Sequence, residues 1–177
     1  QLEEMYEAPI DGSLEHYVPM AGYYIMHNTG IGLQCFAYGI LIIPCLFNLA
    51  YNAVALGTMF GYMSRDDVTG GDNFFHFVTA HAPFELTAVV LASAAGMKLG
   101  FSLIDTKGLG RAASLRRAAQ EAMPTMGATI VLFLLAALIE GFLSPSAAPY
   151  WIKATVGVLS AGMLVAYFGG LGYPRGE

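Results

Sequence analysis

The chain has 177 residues, of which 56% are hydrophobic and 12% charged, with a formal net charge of −5. A soluble domain carries about 25% charged residues, so this deficit, with a mean hydropathy of +0.56, excludes an ordinary soluble fold and points to lipid as the solvent. The acidic balance offers no footprint for nucleic acid, and the 21 glycines suit helices packed closely in a bilayer.

Residues 1–20 form an acidic lead-in with Glu3, Glu4, Glu7, Asp11, Glu15, Pro9 and Pro19. From Ala21 to Met63 there is no Lys, Arg, Asp or Glu. A span needs about 20 apolar residues, so this run holds two, expected at 22–43 and 46–63 with Pro44 as the break. A re-entrant pair is the alternative. Ser64 to Asn73, SRDDVTGGDN, is a turn-rich acidic loop. One long helix is expected from Phe74 to Leu103, with Pro83 tolerated near its start. A basic segment, 105–121, follows, in which ASLRRAAQEAMP suggests a short interfacial helix. Spans at Met123–Phe142 and Tyr150–Leu171 flank the SPSAAP connection, and 173–177 is a short tail.

The fold class is therefore all-α: a polytopic transmembrane helix bundle of about five spans, with the transmembrane domain at 21–172. Residues 98–117 hold five of the eight basic residues, so this segment belongs in the cytoplasm. Alternation then places residues 1–20, the 64–73 loop and SPSAAP outside, and the Pro44 turn and Arg175 inside. Tyr17, Tyr23, Tyr24, Tyr150 and Trp151 fall near the outer boundary, where aromatic belts sit. Because the chain begins with Gln1 and an outside N-terminus, one more span is expected upstream.

Polar residues inside the spans are costly, at about 3 kcal/mol or more for an ionisable group, unless they face the bundle interior and pair. His81 and Glu85 lie four residues apart, on one helix face. The expected cluster is His81, Glu85 and Glu140, with Asn28 and Asn52 as further hydrogen-bonding groups. Two close bare carboxylates repel, so at least one should be protonated or the imidazole charged. Three roles suit such a set: a register-fixing polar cluster, a proton or ion path, or, least favoured, a divalent-metal site. No resident metal or cofactor is expected. The chain lacks HExxH and a recognisable Ser or Cys nucleophile motif, so no enzymatic activity is expected.

Two ridges of small residues stand out, Gly57-x-x-x-Gly61 and Ala92-x-x-x-Gly96-x-x-x-Gly100. The first is expected to be an ordinary packing motif, the second an intrachain seam in preference to a subunit seam. Arg111, Arg116 and Arg117 can reach anionic headgroups or a cytoplasmic partner, and Arg117 pairs in register with Glu121. Cys35 and Cys45 lack metal or redox spacing and are expected to be packing thiols.

FHFVTAHAPFELTAVVLASAAGMKLG, GRAASL and LAALIEGFLSP, with YYIMHNTGIGLQCFAYGI and LAYNAVALGTMFGYM upstream, resemble the membrane region of the stage II sporulation protein M family, closest to its longer, non-sporulation bacterial branch. The family's His-Gly…Glu-like signature falls on His81 and Glu85, with Ala82 in place of Gly. Its Ala-x-x-Glu-x-Phe-x-Ser-Pro signature falls on Ala137, Glu140, Phe142, Ser144 and Pro145, and Asn28 and Asn52 match other polar positions. The resemblance implies a multi-pass protein of the bacterial cytoplasmic membrane. In endospore formers it implies a scaffold for a peptidoglycan-degrading machine. The expected function is a non-enzymatic membrane scaffold or assembly subunit of a cell-envelope complex. Its partners would be other membrane proteins, lipids or further copies of itself, not nucleic acid. The alternative is a proton- or ion-coupled channel or transporter that uses His81, Glu85 and Glu140.

Overall fold

A computed structural model of the chain describes residue 6, residues 14–170 and residue 172. Most of the acidic lead-in and the 173–177 tail lie outside the described residues. Those that are described form six α-helices and one π-helical turn, with no strand among them.

Helix α1, Leu14–Gly39, begins well before the expected position 22. Glu15 lies in its first turn, where a carboxylate complements the positive end of the helix dipole. At 26 residues it is about 39 Å long, ample for a crossing, although it falls short of the apolarity of the other long helices. Helix α2, Ile43–Met63, starts with Pro44 in its first turn. The break therefore falls at residues 40–42 and not at Pro44, because proline is at home where the backbone N–H has no helical partner. Ile42 takes the left-handed conformation there, with φ 54°, an uncommon one for a β-branched residue.

The single helix expected over Phe74–Leu103 is two: α3, Gly71–Val78, and α4, Ala82–Ile104. Pro83 lies in the first turn of α4. It cannot donate to the Thr79 carbonyl, and its ring would clash there in a continuous helix, so the chain turns at residues 79–81. The interfacial helix expected at 113–124 is likewise not separate. Helix α5 runs unbroken over Arg111–Leu138, with Pro124 inside it, and passes directly into the π-helical turn Ile139–Leu143. Helix α6 covers Tyr150–Gly170.

Four segments are long and apolar enough to cross a membrane: Ile43–Met63, Ala82–Ile104, Arg111–Leu143 and Tyr150–Gly170. Helices α1, α4 and α5 make the centre of the bundle. Cys35, Ala92, Ala95, Leu99, Ala122 and Met126 interlock in one core cluster, and Phe84, Ala136 and Leu164 tie in α6. The ridge Ala92, Gly96, Gly100 is an intrachain seam. A methyl added at Gly96 would strike the Phe36 carbonyl, and one at Gly100 the carbonyls of Gly39 and Ile40. Such contact between backbones is what small residues permit when helices meet in lipid. Both cysteines are free and fully buried, as packing thiols should be.

Helix α2 behaves differently. Only 6% of its apolar window is buried, and nothing approaches within 4 Å of a methyl placed at Gly57 or Gly61. The ordinary packing motif expected at Gly57–Gly61 therefore meets no helix among the described residues.

Candidate functional site

The break before α4 and the π turn after α5 meet at the same end of the bundle. Helices α4 and α5 run antiparallel: Ser114 Oγ donates to the Ser102 carbonyl at 2.8 Å at one end, and His81 faces Glu140 at the other. Helix α1 crosses the same region, with Ala21 against Gly141 so closely that a side chain at 141 would not fit. Three irregular or close-packed backbones thus converge where the polar residues lie.

Each local irregularity aims one side chain. His81 is the residue that precedes α4, and its carbonyl accepts from the Glu85 backbone N–H, so that Glu85 follows one turn later. Glu140 lies inside the π turn, whose extra residue per turn rotates the following positions relative to α5. Single π turns inserted in α-helices are frequent at functional sites. The Ser144 N–H to Ile139 carbonyl bond, 2.8 Å, closes that turn and brings Ser144 to the same face.

The resulting geometry is a buried polar knot. His81 Nε2 is 3.6 Å from Glu85 Oε2 and 3.9 Å from Glu140 Oε1. His81 Nδ1 is 3.0 Å from Ser144 Oγ. Asn28 Nδ2 donates to Glu140 Oε2 at 3.2 Å. The His81 side chain is 6% exposed, that of Glu140 11% and that of Glu85 26%. One donor atom from each of His81, Glu85 and Glu140 lies within 4.8 Å of the others, so that among the described residues these three could hold a metal ion. Asn28, buried on α1, thus joins the cluster as expected.

Asn52 does not. Its side-chain nitrogen donates to the carbonyl and the side-chain oxygen of Asn48, one turn earlier on α2, at 2.7 and 3.3 Å. Helix α2 lies at the edge of the bundle, so a polar residue at mid-span there is satisfied locally. Arg111, Arg116 and Arg117 remain exposed on α5. Arg117 Nε bonds Glu121 Oε1 at 2.9 Å, and Lys98 Nζ reaches the other oxygen of Glu121 at 2.9 Å, linking α4 to α5.

Two residues of this region escape a reading of the sequence. Lys153, in the first turn of an apolar helix, is buried with 3% exposure. It donates to the carbonyls of Ser144 at 2.7 Å and Ser146 at 2.9 Å, pinning the SPSAAP connection onto α6. Ser144 was legible only as part of a signature; its bond to His81 depends on the π turn. Beside them, Tyr6, Asn73, His76, Phe77, Ser144 and Lys153 border a cavity of about 310 Å³. Ser144 lines this cavity and touches His81, so it lies between the open space and the cluster.

No curated protein and no solved structure matches the chain. The family model described as Stage II sporulation protein M matches residues 2–145. That match takes in the Asn28 helix, His81, Glu85 and Glu140, and it ends at the Ser144–Pro145 step. The six helices, their apolar crossings and this match together establish that the chain is a multi-pass membrane protein belonging to the stage II sporulation protein M family.

Proposed function

We propose that the protein is a non-enzymatic membrane scaffold, an assembly subunit of a cell-envelope complex in the bacterial cytoplasmic membrane. The observation that carries this reading is helix α2. It is nearly unpartnered, its Gly57–Gly61 ridge is open, and Tyr51, close to mid-span, is 74% exposed. A phenol hydroxyl at that depth has no water to bond, and tyrosines in membranes favour the interface. A partner helix lying on this face would supply both the close backbone approach and the hydrogen bond. Family membership supports the same reading.

The test is co-purification from native membranes. Gly57→Leu with Gly61→Leu should abolish recovery of stoichiometric partners while the monomer's melting temperature holds. Equal recovery from wild type and variant would refute the role of this face, and no partner from wild type would refute the scaffold.

The cluster favours a second reading, a proton- or ion-coupled channel or transporter. Its support is the sequence of contacts from the cavity through Ser144 to His81, Glu85 and Glu140. Flux into liposomes that is abolished in Glu85→Gln supports it; equal flux in the variant removes that carboxylate from any path.

A further inference from the structure

We propose that His81, Glu85 and Glu140 bind a divalent first-row transition-metal ion, with Zn²⁺ as the fitting representative, which clamps the start of α4 to the π turn. The proposal is independent of the scaffold reading and concerns the same three side chains as the ion-path reading; metal binding is read without flux, so the two fail separately.

The first argument is distance. Nε2 of His81 faces the two carboxylates at 3.6 and 3.9 Å, beyond the roughly 2.7–3.2 Å of a good hydrogen bond. Ligands held about 2.0–2.1 Å from a tetrahedral ion stand about 3.4 Å apart. The imidazole nitrogen is thus too far from either carboxylate to be satisfied by it, and the three donor atoms, all within 4.8 Å of one another, need to draw inward by no more than about 1.4 Å to share an ion.

The second argument is orientation, and it is independent of the first. Ser144 Oγ holds the His81 Nδ1 side at 3.0 Å and so turns Nε2 toward the carboxylates. Asn28 engages Oε2 of Glu140 and leaves Oε1 facing His81. A hydrogen bond behind the ligand, which fixes imidazole tautomer and carboxylate direction, is the usual outer shell of a metal centre.

The third argument is charge. Metal binding requires both carboxylates ionised and the imidazole neutral; in that state the three side chains carry −2, and a divalent cation brings the site to zero. That removes the penalty of an uncompensated charge within the apolar layer. One imidazole nitrogen with two carboxylate oxygens suits zinc and its neighbours better than magnesium or calcium, which prefer all-oxygen shells of six or more. Cys35 is buried in a different cluster, among α1, α4 and α5, Cys45 on α2 donates to the Cys35 carbonyl, and neither contributes a ligand.

The experiment uses the full chain in detergent, without a polyhistidine tag, after dialysis against EDTA. Titrated Co²⁺ should give a visible d–d spectrum saturating at one ion per chain, with no near-ultraviolet thiolate band. Zn²⁺ should displace it and raise the melting temperature. Glu85→Gln and Glu140→Gln should each weaken Co²⁺ binding by more than about tenfold, and Ser144→Ala, which keeps all three ligands, by about tenfold. Since the wild-type titration needs no variant to fold, absence of a saturable spectrum overturns the proposal. So does a thiolate band, or unchanged affinity in all three variants.

Discussion

Gly96→Ala is the smallest change that tests how α1 and α4 meet. The added methyl would collide with the carbonyl oxygen, carbonyl carbon and Cα of Phe36. All three are backbone atoms of a helix, so no rotamer change relieves the contact and the two helices must separate. Overpacking a tight core costs about 1–3 kcal/mol, and an obstacle that cannot rotate away belongs in the upper half of that range. Replacing glycine by alanine within a helix returns up to about 1 kcal/mol. The net loss is about 1–2 kcal/mol, or about 2–8 °C in melting temperature for a chain of this size. Cys35 and Cys45 are free and fully buried, so a thiol-reactive fluorophore that labels them on heating reports unfolding in detergent. Gly57→Ala is the control: its methyl meets nothing, and the same helix-propensity gain should leave the protein equally or slightly more stable. If Gly96→Ala melts with wild type, or Gly57→Ala falls as far as Gly96→Ala, the packing described for α1, α2 and α4 is wrong.

Three further outcomes can be read in the same assay. Glu140→Leu removes the acceptor for Asn28 and one of the two carboxylates facing His81, and should cost about 2–4 kcal/mol; stability within error of wild type would mean the knot is not structural. Lys153→Met keeps much of the side-chain length but strands the Ser144 and Ser146 carbonyls. The expected loss is about 2 kcal/mol, with faster proteolysis at residues 144–149; an unaltered cleavage rate would refute the pin. Lys98→Ala, by contrast, breaks a pair whose side chains are nearly half exposed, and should cost less than about 1 kcal/mol.

Much of this protein is legible in the order of its residues. The uncharged, apolar run up to Met63 and the spacing of the small residues identify the Ile43–Met63 crossing and the Ala92–Gly96–Gly100 seam, because bilayer solvation and backbone approach are properties of short stretches; among the described residues four crossings are apolar enough where five were expected. The four-residue step from His81 to Glu85 puts both on one face of any helix. Glu140 and Asn28 could be joined to them because an ionisable group in lipid must find a partner.

The rest required three dimensions. Asn28 and Asn52 read alike in sequence, yet one lies on a central helix facing Glu140 and the other on an edge helix facing its own Asn48. Gly57–Gly61 and Gly96–Gly100 are the same pattern, but only the second has a helix laid against it within the described chain. The π turn that aims Glu140, and the break at residues 79–81 that frees His81 from a regular helix, depend on which backbones press together. Local hydropathy determines that a segment enters the membrane; only the pairing of helices determines which side of it meets another chain segment, and hence which polar groups find each other.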